Sequence, residues 1–383
     1  MEHNKLIFSK VPTLRFKKYD TNWDRKKLSD YVKKITRKNS NNVIKNVICN
    51  SAQNGLIPQL DFFDKEIAND ENTVGYYIIN NGDFVYNPRK SLNAPYGPVN
   101  MYKYEKAGIV SPLYLCFSVD ESINKSFLLQ RFKSPCWYRY IYLNGDSGAR
   151  HDRVSIKDDV FLSQPISLPS AEEQTDIAVF LEKIDERIEI QNKIISKYET
   201  LIKGLSYYII KKFNGKEYKL GTLAEIYQPQ TITKTDLPDN GKYPVYGANG
   251  IIGYYNRFNH KESQIMITCR GSTCGTVNLS TPYSWITGNS MVINIDEHKS
   301  TVDKKYLYYY LKTQSFNDLI SGSGQPQIVR KPLVNLNVFL PEISQQIKLG
   351  EIIDIFEKTL KNEKEMLSAL QKQKAFLLQS MFI

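Results

Sequence analysis

The sequence predicts an α+β chain. Two β-rich mixed globules alternate with two long helices, the helices pair as an antiparallel coiled coil, and the halves form a pseudo-twofold internal repeat. Three observations predict this. Residues 168–212 recur as residues 340–382, with Leu168, Pro169 and Gln174 matched by Leu340, Pro341 and Gln346 at a constant offset of 172, and an internal repeat decides architecture before any other signal. Both copies carry a heptad seam. The segments preceding them are short β-branched and aromatic runs separated by Asn, Gly and Pro, the texture of small mixed β domains.

In order, the chain reads as a lead-in (1–19), a first globule (20–166), a central helix (167–212), a second globule (213–338) and a C-terminal helix (339–383). The lead-in is polar and basic. From Trp23, WDRKKLSDYVKKITRK is echoed by EYKLGTLAEIYQPQ, with Leu28 matching Leu220, so the globules repeat too, more loosely. In the first globule, residues 43–49, 75–79, 83–86, 114–119 and 138–143 read as strands, and 126–133 as a short helix. In the second, 243–247, 251–255, 264–269, 275–279 and 291–295 read as strands, and 304–312 as a helix.

The central helix starts well: Ser170 lies three before Glu173, a capping-box spacing, with Pro169 just ahead. The second copy has Glu342 in place of Ser170 and a weaker cap. Ile177, Leu181, Ile184, Ile188, Gln191, Ile195, Tyr198 and Ile202 alternate steps of four and three, matched by Leu349, Ile353, Phe356, Leu360, Glu363, Leu367, Leu370 and Lys374. That is an a/d seam. A helix of roughly 40 residues is about 60 Å long; one alone cannot bury its seam, whereas two in one chain can bury each other. The expected pairing sets Ile184, Ile188, Gln191 and Ile195 against Phe356, Leu360, Glu363 and Leu367. Gln191 and Glu363 either meet and fix register or are edge residues of a ragged seam.

Of 383 residues, 41% are hydrophobic and 12% aromatic, enough for two or three real cores. Fifty-one Lys and Arg against 40 Asp and Glu give +11, which favours a polyanionic partner, although a Lys-, Asn-, Ile- and Tyr-rich composition also follows from an AT-rich genome. Cys49, Cys116, Cys136, Cys269 and Cys274 are odd in number and form no CxxC, as expected of free thiols in a reducing compartment. No apolar run has the length of a signal peptide or membrane span, so a cytoplasmic protein with no membrane partner is expected. There is no GxxxxGK[ST] loop, no GxGxxG after a strand and no HExxH. His3, His151, His260 and His298 are scattered and give no zinc spacing. Asn87-Pro88-Arg89 comes nearest to the Asn/Asp-Pro-Pro-aromatic tetrapeptide of amino-methyltransferases, and breaks it.

The halves resemble those of the specificity subunit of a type I restriction–modification system. The resemblance rests on Pro169 with Glu173-Gln174 and, degraded, Pro341 with Gln345-Gln346. It rests also on YPVYGANGIIGYY (243–255), CRGSTCGTVN (269–278), GNSMVI (288–293), GSGQPQI (322–328), NGDFVYN (81–87) and AGIVSPLY (107–114). It covers nearly the whole chain, and the order of the fragments is more specific than any one of them. The resemblance implies a subunit without chemistry of its own, whose two target recognition domains each read one half of a split sequence in double-stranded DNA. Its helices would bind two modification subunits, which bring S-adenosylmethionine and methylate adenine; restriction (motor–nuclease) subunits can then join. No cofactor is expected in this chain. As a ruler, a ~60 Å rod spans about 18 base pairs end to end.

Base reading needs donors and acceptors that reach base edges, and Arg in a loop is well suited because it can grip guanine with two bonds. The candidates are Arg89, Lys90, Ser91, Arg131, Arg139, Arg150 and His151 in the first domain, and Tyr246, Asn249, Arg270, Ser272, Thr273, Asn289, Ser290, Gln325 and Gln327 in the second. Gly271, Gly288 and Gly324 are assigned to backbone geometry. The Gly322–Gln327 loop has a counterpart in Gly145–Arg150, and either contacts DNA or closes the domain onto the bundle. The rival classes are a fused methyltransferase or nuclease, a coiled-coil scaffold whose globules bind protein, and an orphan DNA-binding adaptor without restriction partners. Methyl transfer by the purified chain would mark the first, and absence of salt-dependent DNA affinity the second.

Overall fold

A computed structural model describes residues 11–59, 73–145, 152–212, 215–248, 250–322 and 324–383. The first globule holds ten strands among these residues. They are β1 (Asp24–Lys27), β2 (Val32–Lys34), β3 (Ile48–Ser51), β4 (Gly55–Pro58), β5 (Tyr77–Ile79), β6 (Phe84–Tyr86), β7 (Val99–Met101), β8 (Gly108–Val110), β9 (Leu115–Val119) and β10 (Pro165–Leu168). Its helices are α1 (Lys125–Lys133), α2 (Tyr138–Asn144) and α3 (Asp158–Leu162), and the central helix is α4 (Ala171–Lys212). The second globule continues with β11 (Lys216–Lys219), α5 (Leu220–Leu223), β12 (Glu225–Tyr227), β13 (Tyr243–Gly247), β14 (Gly250–Tyr255), β15 (Ile265–Thr268), β16 (Val277–Leu279), β17 (Trp285–Ile286) and β18 (Ser290–Asn294). It ends with α6 (Lys304–Lys312), α7 (Arg330–Val334) and β19 (Asn337–Leu340), before the C-terminal helix α8 (Ile343–Ser380).

Each globule is built on a four-stranded sheet of the same order, β2-β9-β6-β7 in the first and β12-β18-β15-β16 in the second. Every pairing in both is antiparallel. One helix covers each sheet, α1 or α6, through fully buried Phe127 and Leu128 or Tyr306, Leu307 and Leu311. A separate two-stranded ribbon ties together the two ends of each globule: β1 with β10 (Asp24 opposite Leu168), and β11 with β19 (Lys216 opposite Leu340). The next bond also repeats, since Leu28 N donates to Gln164 O (2.9 Å) and Leu220 N to Leu336 O (2.8 Å).

The chain divides into two compact units, Met1–Ile190 with Leu367–Ile383, and Gln191–Met366. In the first, Ile177, Leu181 and Ile184 of α4 bury against Leu377, Leu378 and Met381 of α8 and the core of the globule. In the second, Gln191 Nε2 donates to the carbonyl of Glu363 (3.0 Å) and to its carboxylate, and Tyr198 meets Phe356 (centroids 6.2 Å). Partners descend along α8 as α4 ascends, so the helices run antiparallel within each unit. Residues 11–23 are more than a lead-in. Arg15 grips Glu173 through two 2.7 Å bonds, Tyr19 donates to Asp176, and Leu14 N donates to Ser380 O (3.0 Å).

The Pro…Glu-Gln spacing of the repeat has a physical purpose. Gln174 is buried; its Oε1 accepts Asn124 N (3.0 Å), ahead of α1, and its Nε2 donates to Pro169 O (3.1 Å). Gln346 does the same, with Asp303 N (2.9 Å), ahead of α6, and Pro341 O (2.8 Å). Each glutamine thus locks the sheet-covering helix of its globule to the start of a long helix.

Two expected strands are corrected. Residues 138–143 form α2: burial falls on Trp137 and Ile141, four apart, while Tyr142 and Leu143 are exposed, a helical rather than alternating period. Of residues 43–49, only Ile48 and Cys49 join a strand. Val43 is exposed, and the Asn39 side chain clamps both Ile44 N (3.1 Å) and Ile44 O (2.8 Å) into a loop.

Candidate nucleic-acid interface

The interface is built where equivalent strands end. After β6, Pro88 O accepts Val154 N (2.9 Å) and Lys90 N donates to Asp152 O (2.8 Å), which pairs Arg89 with Arg153. After β15, Cys269 O accepts Ile328 N (3.1 Å) and Gly271 N donates to Pro326 O (3.1 Å), which pairs Arg270 with Gln327. Arg89 and Arg270 therefore occupy the same position just beyond the end of the same strand of the repeated sheet. Each is exposed and laddered to the segment that leads on to β10 or β19. The counterpart of the Gly322–Gln327 loop accordingly centres on residues 152–154; the expected Gly145–Arg150 lies mostly outside the described residues.

In the first unit a cleft of about 490 Å³ is lined by Arg89, Lys90, Ser91, Arg153, Gln53 and Asn87, among others. Buried asparagine bonds set its walls: Asn50 Nδ2 donates to Val85 O (2.7 Å), Asn100 Nδ2 to Asn50 Oδ1 (2.7 Å), and Asn87 Nδ2 to Asn50 O (3.1 Å). Asn87 Oδ1 accepts Arg89 N (3.0 Å) and turns the chain outward there. Ser91 closes a tight turn with Ala94, each N–H bonding the other's carbonyl (3.0 and 3.1 Å).

In the second unit the Arg270–Thr273 turn and the Gly322–Gln327 loop come together, presenting Arg270, Ser272 and Gln325 to solvent. Thr273 and Asn289 are half-buried and contribute carbonyls to the frame, to Thr276 N (3.1 Å) and Cys269 N (2.9 Å). Gln327 bonds Ser321 in both directions. Gly322 adopts φ +90°, and a Cβ there would lie 2.7 Å from Gln325 O, so this loop requires glycine. Gly271, at φ +86°, is likewise in the left-handed region.

Four candidates are placed elsewhere. Arg131 is 3% exposed; it donates to Gln164 Oε1 (3.0 Å) and Pro165 O (2.8 Å), bracing α1 against β10, and burial lowers its guanidinium's pKa. Tyr246 is buried, its hydroxyl accepting Thr281 N (3.1 Å). Ser290 is buried, donating to Gly247 O. These three are buried in bonds within their own globules and are not presented to solvent. Arg139 is exposed on α2, apart from the cleft. Arg150, His151 and Asn249 lie outside the described residues. Sequence reasoning missed Arg153; it becomes visible once β6 and β15 are aligned, because it then holds the position in the first globule that Gln327 holds in the second.

Other chemistry is sparse. Burial raises the Cys269 thiol and pushes that of Cys116 up to about 12, so neither is a thiolate near neutral pH. Among the described residues no group of three His, Cys, Asp or Glu side chains could hold a metal, and no helix is long and apolar enough to cross a membrane.

Residues 20–200 and 214–372 match the family model described as the type I restriction modification DNA specificity domain. The Escherichia coli type I restriction enzyme EcoprrI specificity subunit is 27% identical over 152 residues, which span 39% of this chain and 37% of that one. The MjaVIII specificity subunit of Methanocaldococcus jannaschii is 24% identical over 318 residues, 70% of this chain and 69% of that one. The crystal structure of a type I restriction-modification S subunit from M. genitalium superposes with a TM-score of 0.67 at 18% identity, covering 97% of this chain and 99% of the other.

Proposed function

The chain belongs to the type I restriction modification DNA specificity family, and from that premise we propose that it reads a bipartite target in double-stranded DNA, one half per globule. Arg89 with Lys90 serves one half-site; Arg270, Ser272 and Gln325 serve the other. One observation carries this reading: the same arginine position, just beyond the same strand of the repeated sheet, is exposed in both globules. An arginine at such a site can take guanine O6 and N7 together, while neighbouring lysines and backbone N–H groups set register on phosphates.

In this reading the chain performs no catalysis. Its helices dock two modification subunits, which bring S-adenosylmethionine and methylate adenine, and restriction subunits join that core. The helices also set the unread spacer between the half-sites.

The test is co-expression with a modification subunit from the same operon, followed by genome-wide mapping of methylated adenines. One split motif with two defined halves and a fixed gap is the expected result. A stable, active methylase complex that marks no split motif would overturn it. Methyl transfer by the purified chain alone would overturn the non-catalytic assignment.

A further inference from the structure

The first unit contains a second cavity, of about 610 Å³, where β7 and α1 meet the two long helices; Lys103, Lys133, Asp185 and Lys374 line it. The Lys374 side chain is only 13% exposed and is paired with Asp185. The same carboxylate accepts Lys133 Nζ (3.1 Å) and Gln130 Nε2 (2.9 Å). Lys103 adds a third ammonium, felt by Lys374, and Glu182 is the other carboxylate acting on Lys133. The cavity lining sets three lysines, Lys103, Lys133 and Lys374, against one carboxylate, Asp185; burial, then Lys133, then Lys103, push the Lys374 ammonium down to about 7.

The repeat shows that the frame does not require this. Asp185 corresponds to Glu357, and Lys133, at the end of α1, to Lys312, at the end of α6; Lys312 and Glu357 form one balanced pair at 2.7 Å. Lys374 corresponds to Ile202, which packs on the second unit's apolar core. An isoleucine therefore serves at this seam position, while a buried lysine is costly unless something compensates it. The cavity also adjoins the cleft described above: Ala52, Gln53, Asn93 and Pro98 line both.

We propose that Lys103, Lys133 and Lys374 form a phosphate-binding site on the first unit, beside the Arg89 cleft, in which the C-terminal helix itself takes part. An oxyanion there balances the surplus ammonium groups. Its source is either a DNA backbone phosphodiester, which rests on the DNA-reading assignment, or a free phosphate.

The test compares the full-length chain with Lys374→Ile, which places the residue of the other copy at this position, and with Lys103→Gln, an exposed substitution that leaves the fold intact. In the first arm, inorganic phosphate is titrated against chloride at matched ionic strength while the unfolding midpoint is followed. The wild type should be stabilised, as a ligand of the folded state requires, with the response lost in Lys374→Ile and weakened in Lys103→Gln. In the second arm, the salt dependence of DNA affinity should become shallower by about one unit of log–log slope per lysine removed. A Lys374-dependent phosphate response with an unchanged slope identifies free phosphate as the ligand. If the wild type binds no DNA but keeps that response, the site stands and the DNA-reading assignment fails. Equal phosphate responses in all three proteins, with equal slopes, would overturn the site.

Discussion

Arg89 and Arg131 show how differently two arginines of one domain can behave. Arg89 is exposed beyond the end of β6 on a backbone held by Asn87 and Asp152. Arg89→Ala should leave the unfolding midpoint unchanged and relax one position of one half-site by about 1–3 kcal/mol if its contact is bidentate. Arg270→Ala should do the same in the other half-site; methylation mapping reads both, and uniform weakening over all sequences would make either residue a phosphate contact instead. Arg131 is buried with Gln164 and Pro165 O as its partners. Arg131→Ala leaves those acceptors unpaired, each at about 1–3 kcal/mol, so calorimetry should show a lowered midpoint while the methylated motif of the folded protein stays the same. Residue type suggested both arginines as readers; only burial separates them, and burial depends on pairings more than 30 positions away in sequence.

Among the elements, Gln174 and Gln346 are where a short motif becomes architecture. Gln174→Ala should orphan Asn124 N and Pro169 O, at about 1–3 kcal/mol for each buried group, and Gln346→Ala should act likewise on Asp303 N and Pro341 O. Hydrogen exchange would report the loss as faster opening at the start of α1 or α6; unchanged exchange there would show that the glutamines do not hold those helices. The long helices were legible because a heptad seam is a local, periodic signal, and β6, β9, β13 and β15 were legible because buried β-branched runs bounded by turn residues are too. The α2 segment was not: YRYIYLN has the composition of a strand, and its conformation is decided by Trp137 and Ile141 facing one core. The Arg89–Arg153 ladder was not legible either, since a single bridge between distant loops leaves no periodic trace. Its counterpart at Arg270 and Gln327 became recognisable only through the common sheet order.

For the whole molecule, the proposed spacing role of the helices has a direct consequence. Four residues inserted into both α4 and α8 add one turn, about 6 Å, and should lengthen the unread gap by roughly two base pairs. Methylation mapping of the insertion variant checks this, and an unchanged gap would mean that the helices do not set the distance. The ribbons β1–β10 and β11–β19 bring a consequence of another kind. Because each ribbon clasps the two ends of its globule, the chain between Lys27 and Pro165, or between Lys219 and Asn337, enters and leaves through one pair of adjacent backbone strands. A genetic crossover whose breakpoints fall in those two short strands would replace one globule with another of the same sheet order and leave the sequence of the helices and of the other globule untouched. Under the proposed function, new targets would then arise by exchange of one globule in a single event, faster than point substitution could rebuild a surface, and each exchange would alter only its own half of the recognised sequence.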